Sequence, residues 1–265
     1  MVPKLRTFIG SNMTKTNKTS DKLKVLIFDI ETAPNIGYTW TKYETTVIKF
    51  LQERYMLCFA AKWLDEKQTK VYALPDYKGY SKDKTNDKEL VKKLWELVDE
   101  ADVVVAHNGD KFDIRIMNAR FIANGLTPPS PYKTVDTKKI ASRKFGFNSN
   151  KLDDLGTVLG LGKKLPTGGF ELWEGCMAGN AAAWNKMKKY NKMDVVLLEK
   201  VYKSLRPWAP SHPNIGINRG RHACINCGST NTQNRGYSYA KFHKYQRFQC
   251  KDCYAWGSAP IKKAK

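Results

Sequence analysis

A chain of 265 residues, 42% of them hydrophobic and seven of them Trp, can bury one sizeable core with room for a small second module. Its 46 Lys and Arg against 25 Asp and Glu give a formal charge of +21, which argues for a polyanionic partner bound through phosphate neutralisation, so nucleic acid is expected. No stretch approaches the roughly eighteen apolar residues of a membrane span, and no apolar segment follows the N-terminus as a signal peptide would, so no membrane partner is expected and the chain reads as cytoplasmic.

In chain order, residues 1–21 read as a disordered basic arm. Residues 24–32, KVLIFDIET, are nearly all apolar until they end in acids, which suits a central strand covered on both faces. Asp29 and Glu31 stand two apart and therefore share one face of that strand. Two adjacent carboxylates repel, and a divalent cation with oxygen preference would relieve them; an ordinary strand entering a solvated acidic turn has the same letters. Residues 55–64 and 70–74 are further strands joined by the polar turn DEKQT, giving an antiparallel meander with residues 33–54 inserted.

Asn86 or Asp87 is expected to cap a helix in which Leu90, Val91, Leu94, Leu97 and Val98 recur at helical spacing. The β-branched run DVVVA, residues 102–106, leads through HNGDKFD into a helix over 112–124, closed by Gly125 and the prolines at 128 and 129. A strand over 134–140, a short helix capped by Asn150 and a glycine-rich surface loop over 161–173 follow. Residues 181–205 are helical again and carry Tyr190 and Asp194. Strands alternating with helices after a meander predict an α/β architecture, a mixed sheet flanked by helices. Pro207, Pro210 and Pro213 then mark a linker, 207–220, after a domain of residues 22–206.

Cys224 and Cys227, then Cys250 and Cys253, form two CxxC pairs 22 residues apart. In a reducing compartment this spacing points to one structural Zn²⁺ held by four thiolates, with His222 and His243 as substitutes that four cysteines make unnecessary. The module, residues 221–258, resembles the zinc ribbons of transposases and transcription proteins, and a basic tail fills 259–265. From 221 to 265 there are nine Lys and Arg against one acid, Asp252, interleaved with Tyr237, Tyr239, Phe242, Tyr245, Phe248, Tyr254 and Trp256. That mixture suits backbone tracking with base stacking on single strands, some of the aromatics also serving the ribbon's small core. Cys58 and Cys176 sit in apolar surroundings and read as core residues.

VLIFDIET, HNGDKFD and YNKMD resemble, in order and spacing, the three exonuclease motifs of the DnaQ-like 3′–5′ exonucleases of the DEDDy type, which have a ribonuclease H-like fold. The resemblance covers roughly residues 22–205; the second motif is close to that of family B polymerase proofreading domains, and the stand-alone arrangement is similar to bacteriophage exonucleases. It implies Asp29, Glu31, Asp113 and Asp194 as ligands of two Mg²⁺ or Mn²⁺ ions, a catalytic Tyr190, nucleic-acid contacts from Thr32, Asn108 and Phe112, and a bacterial or phage-infected cell. Two ions about 4 Å apart can activate water and stabilise the leaving oxygen of a phosphodiester. In that scheme Asp29 bridges the ions, Glu31 and Asp194 serve the ion that activates water, and Asp113, in the family pattern, serves the other. Tyr190 lies one helical turn before Asp194, on the same face, and its ordinary pKa near 10 suits orienting water better than taking its proton.

Asp110 competes with Asp113 for the second motif, and Asn108 followed by glycine also reads as a plain turn. His107 is expected to be structural, since the histidine variant of the family places its residue where this chain has Lys189. Asp136, Asp153 and Asp154 are read as structural. The expected activity is release of 5′-mononucleotides from 3′ ends, single-stranded DNA being favoured over RNA. RNA trimming, a structure-specific cut or noncatalytic nucleic-acid binding are the alternatives.

Overall fold

The computed structural model describes residues 22–209, 211–220 and 222–261; the basic arm, Pro210, Arg221 and the last four residues of the tail lie outside them. Strand β1 (Val25–Thr32) is central because its side chains alternate between two apolar environments. Leu26, Phe28 and Ile30 join one buried cluster while Val25 and Ile27 join the other, so both faces are covered. Asp29 and Glu31 continue the Val25 and Ile27 face at the strand's C-terminal end.

Around β1 lies a five-stranded mixed sheet. On one side the predicted meander is present: β4 (Met56–Trp63) pairs antiparallel with β1, and β5 (Lys70–Ala73) with β4. On the other side β6 (Val103–Ala106) is parallel to β1 and β7 (Lys133–Asp136) parallel to β6. Helices α1 (Lys88–Glu100) and α2 (Asp113–Ala123) supply the first cluster, and α3 (Thr137–Lys144) and α4 (Leu152–Val158) the second. Helix α6 (Ala181–Leu205) contributes to both: Trp184, Met187 and Tyr190 to the first, Val195, Leu198 and Val201 to the second. The result is an α/β fold of the ribonuclease H-like kind, a mixed sheet flanked by helices.

Several expectations need correction. The strand expected over 134–140 stops at Asp136, because the Asp136 carboxylate accepts from the Lys138 and Lys139 N–H groups (2.9 and 3.3 Å) and starts a helix instead. The loop expected over 161–173 ends at Phe170, where α5 (Glu171–Ala178) begins, burying Leu172 and Cys176 and ending at a left-handed Gly179 (φ 87°). Lys151, rather than Asn150, is the N-cap of α4. The insertion between the first strands contains a hairpin of β2 (Ile36–Tyr38) and β3 (Lys49–Gln52), exposed on both faces. Cys58 and Cys176 are buried, as expected.

Beyond α6, β8 (Thr232–Tyr239), β9 (Lys244–Cys250) and β10 (Trp256–Pro260) form a separate antiparallel sheet; Cys250 ends β9, Cys224 and Cys227 precede β8, and Cys253 lies between β9 and β10. No helix among the described residues is long and apolar enough to cross a membrane.

Asp87 takes the N-cap position of α1 but its side chain caps nothing. Almost fully buried, it accepts from the Met56 N–H (2.8 Å), from Arg120 Nε and Nη2 (2.8 and 2.6 Å) and from Asn124 Nδ2 (3.2 Å), tying α1 and α2 to β4. Truncating one member of a buried, hydrogen-bonded ion pair leaves the other charge uncompensated. Asp87→Ala should therefore lower unfolding stability by about 3 kcal/mol, read as a shifted urea midpoint with unchanged slope. A loss under about 1 kcal/mol would show that the clamp does not hold the helices.

Candidate active site

Asp29, Glu31 and Asp194 come together at the end of β1, each offering an oxygen within 4.8 Å of the others. β1 supplies two of them through its alternation, and α6 brings the third across the sheet because its apolar residues are divided between the two clusters. Asp113, at the first position of α2, stands beside the trio, its buried Oδ1 accepting the Ile30 N–H at 3.2 Å. Asp110 points elsewhere, pairing with Lys139 at 2.5 Å. The structure thus gathers all four expected acids, three as one cluster and Asp113 held to the β1 backbone next to it.

Crowding and burial shape their protonation. Burial, with repulsion from Asp113, Glu31 and Asp194, holds the Asp29 carboxyl well above the usual carboxylate range. Glu31 is pushed up to about 8 by burial and then by Asp194, and burial pushes Asp113 up to about 7. Burial also raises Asp194, against the pull of the Lys164 ammonium and the Tyr190 hydroxyl. A cation at this spot would reverse these shifts.

Four residues hold the cluster in shape. Asn191, fully buried, donates from Nδ2 to Asp29 Oδ2 at 2.8 Å and to the Asp29 carbonyl at 3.3 Å, fixing that side chain. The Trp173 indole holds the Glu31 carboxyl down against the burial that raises it, and its ring meets Tyr190 edge-on with centroids 6.2 Å apart. Lys164 Nζ lies 2.6 Å from Asp194 Oδ2 and 5.0 Å from the centre of the Tyr190 ring. Asp153 accepts the Lys164 N–H at 2.6 Å, and Lys200 donates to the Leu161 carbonyl at 3.1 Å, so the loop carrying Lys164 is fastened at two points. Gly156 permits this: a Cβ there would lie 2.6 Å from the Gly162 carbonyl and 2.9 Å from Leu197. Burial raises the Tyr190 hydroxyl further above its ordinary value, followed by Asp194, so it stays protonated at neutral pH.

The remaining expected residues divide. Thr32 follows Glu31 at an irregularity in the β1 and β4 register, where it faces Met56. Asn108 adopts a left-handed conformation (φ 63°) with its N–H bonded to Asp136 Oδ1 at 2.9 Å. Phe112 is 40% exposed with the Arg54 guanidinium 5.9 Å over its ring. His107 is structural: its Nε2 faces the Asn150 carbonyl (3.0 Å), which can only accept, so Nδ1 is left to accept from Thr137 (2.8 Å). Asp136 serves as the α3 cap, and Asp153 anchors the Lys164 loop. Lys164, Trp173 and Asn191 escaped the sequence reading. Asn191 had a signal, three residues before Asp194 on the same helix face.

Whether divalent ions suit this cluster is decided by its charge. Asp194 Oδ2 meets the Lys164 ammonium at 2.6 Å, yet this one ammonium leaves the Asp29, Glu31 and Asp113 carboxyls held above their ordinary range. Crowded, mutually repelling buried carboxyls with a single ammonium beside them call for more positive charge, and an all-oxygen set suits Mg²⁺ or Mn²⁺. In the C-terminal module Cys224 Sγ lies 3.5 Å from Cys253 Sγ, and Cys227 Sγ 3.6 Å from Cys250 Sγ. These separations are too long for disulfides and close to the roughly 3.8 Å edge of a tetrahedron with 2.3 Å zinc–sulfur bonds. The Cys224 thiol is pushed down to about 3 by the neighbouring Cys227 and Cys253 thiols, which favours thiolate ligation.

Residues 42–206 match the family RNase_H_2, described as RNase_H superfamily. The chain belongs to the RNase_H superfamily. Asp113, Tyr190 and Asp194 fall inside the matched residues of this RNase_H member, while Asp29, Glu31 and Thr32 precede them and join the site through β1. No curated protein matches the chain. Among solved structures, a family B DNA polymerase from the hyperthermophilic archaeon Pyrobaculum calidifontis aligns at 19% identity and a TM-score of 0.49, over 84% of this chain and 32% of the polymerase chain. The chain therefore spans about a third of that polymerase's length.

Raised carboxyl pKa values mean that the folded protein binds more protons than the unfolded chain between the two pKa values, so stability falls as pH rises through that window. For Glu31 this runs from its ordinary 4.5 to about 8. Without divalent ions the midpoint of thermal unfolding should decline across this window, and saturating Mg²⁺ should raise it far more at pH 8 than at pH 5. Equal Mg²⁺ shifts at both pH values in calorimetry would contradict a metal site here, and Glu31→Gln should flatten the profile.

Proposed function

We propose that this chain is a divalent-metal-dependent 3′–5′ exonuclease of the DEDDy type that releases 5′-mononucleotides from single-stranded DNA. The observation that carries the reading is the carboxylate trio at the end of β1, with Asp113 beside it and Tyr190 on the same face of α6 as Asp194. Asp29, Glu31, Asp113 and Asp194 would hold two Mg²⁺ or Mn²⁺ ions, which supply an activated water and charge neutralisation at the scissile phosphate.

The side chains divide the remaining work. Asn191 keeps Asp29 in one rotamer, and the Ile30 N–H does the same for Asp113, so the acids are preorganised. The Tyr190 hydroxyl, protonated at neutral pH, orients the attacking water rather than deprotonating it. Lys164, held over Tyr190 by its anchored loop, places a cation where negative charge accumulates on the phosphate. Phe112 offers an exposed ring for the terminal base, with Asn108 just before it in the chain and Thr32 beside Glu31 on β1 for the sugar and phosphate.

The C-terminal module reads as a zinc ribbon that grips the strand. Lys244 lies 3.8 Å from the centre of the Tyr237 ring and Arg247 5.1 Å from that of Trp256, pairing cations with exposed aromatics along one small sheet.

The test is a time course on a 5′-labelled single strand in Mn²⁺, for which a descending ladder with mononucleotide release is expected. Asp29→Ala and Asp194→Ala should each reduce the rate by at least about a thousandfold, while Tyr190→Phe should leave measurable cleavage. A single internal product would point to a structure-specific cut, and full activity of either Asp variant would remove the reading altogether. Removing zinc with a thiol-directed chelator should weaken binding of long strands and spare cleavage of short ones. If affinity is unaffected, the ribbon serves another partner.

A further inference from the structure

The hairpin of β2 and β3 leaves the sheet directly after the carboxylate strand and returns at Arg54, beside Phe112. It packs on neither core, yet Ile36, Tyr38, Trp40, Tyr43, Ile48, Phe50 and Leu51 are all exposed, with Trp40 and Tyr43 at 85% and 88%. Two strands alone are marginal in water, and this much apolar surface on a projecting element marks an interaction site. Its chemistry is specific. The large side chains at and beside the tip are aromatic, and Lys42 Nζ sits 5.8 Å from the centre of the Tyr43 ring.

At the root, the hairpin and α2 enclose a groove of about 500 Å³ in which Phe50 and Ile116 lie with Arg54 and Arg115 against one acid, Glu53. Arg120 also faces this groove, but its guanidinium is engaged by Asp87. The groove follows α2, whose first residue is Asp113, and Arg54 reaches over the Phe112 ring at its head. Flat aromatic faces alternating with arginines, in a chain of charge +21, complement stacked bases and their phosphates.

We infer that the hairpin and α2 form a guide for the single strand leading away from the cut end. Its bases stack on Trp40, Tyr43 and Phe50, and its phosphates meet Arg54 and Arg115. This rests on the nuclease reading, and it adds a surface that none of the metal or terminal-nucleotide contacts requires. A strand seated this way lies between the carboxylate cluster and the hairpin tip, so affinity should grow with strand length until the tip is reached.

The test is fluorescence anisotropy of labelled oligo(dT) of a few nucleotides and of about 20 nucleotides, on the full-length protein in EDTA, so that binding is measured without cleavage. A Trp40→Ala/Tyr43→Ala double variant should bind the longer strand roughly tenfold more weakly or worse, with its salt dependence unchanged. Arg115→Ala should weaken binding and flatten the salt dependence by about one counterion. Because these positions are exposed, both variants should keep the parent's unfolding midpoint. Longer-strand affinity within twofold of the parent in both variants would overturn the inference. So would a double variant that binds DNA normally but loses self-association in sedimentation, which would assign the hairpin to a second copy of the chain. Failure of the nuclease reading is seen separately, as retained cleavage by Asp29→Ala.

Discussion

Four carboxylates gathered at the end of one strand set the terms for everything around them. Two like charges about 4 Å apart repel by roughly 4 kcal/mol at the effective dielectric of a protein site, and burial adds to that cost. The fold answers with donors placed selectively. Asp29 receives the Asn191 amide and Asp113 the Ile30 N–H. Asp194 meets the Lys164 ammonium at 2.6 Å. Asp29 and Asp113 are thereby fixed in direction, while one ammonium offsets only part of the charge the four acids carry, which leaves room for a divalent cation.

Helix α6 makes that arrangement possible. It is long enough to bury its first half in one apolar cluster and its second half in the other, and Tyr190, Asn191 and Asp194 lie where it passes from one to the other. The polar residues at this crossing come from a stretch that the cores on either side hold rigid. The same helix receives α4 at Gly156, which positions the loop that delivers Lys164. Apolar packing thus sets the polar geometry at two removes, through the helix and through the loop beside it.

Much of this was legible in the letters. A buried strand ending in Asp and Glu two apart, a short strand turning into a helix at Asp113, and Tyr190 one turn before Asp194 each follow from simple periodicities. What stayed hidden had physical reasons. Val135 and Asp136 continue a strand pattern, and only the contacts of the Asp136 side chain reveal that it caps a helix. Helix α5 has eight residues bounded by glycines, too few turns for its pair Leu172 and Cys176 to register. The hairpin of β2 and β3 is exposed on both faces, so no alternation of burial existed to be read. Lys164 acts through a loop whose shape depends on Asp153, Lys200 and Gly156, none of which is its neighbour in sequence.

The clamp between Asp87 and Arg120 carries a mechanical consequence. Arg120 lies in the last turn of α2, donates to the Arg54 carbonyl at the root of the hairpin, and is bolted through Asp87 to the Met56 N–H of β4. A pull on the Arg54 end of the projecting hairpin therefore enters the fold at β4 and the last turn of α2. The clamp anchors only that returning end of the hairpin; the outgoing end runs on from β1, so the strand that carries Asp29 and Glu31 is the hairpin's other support.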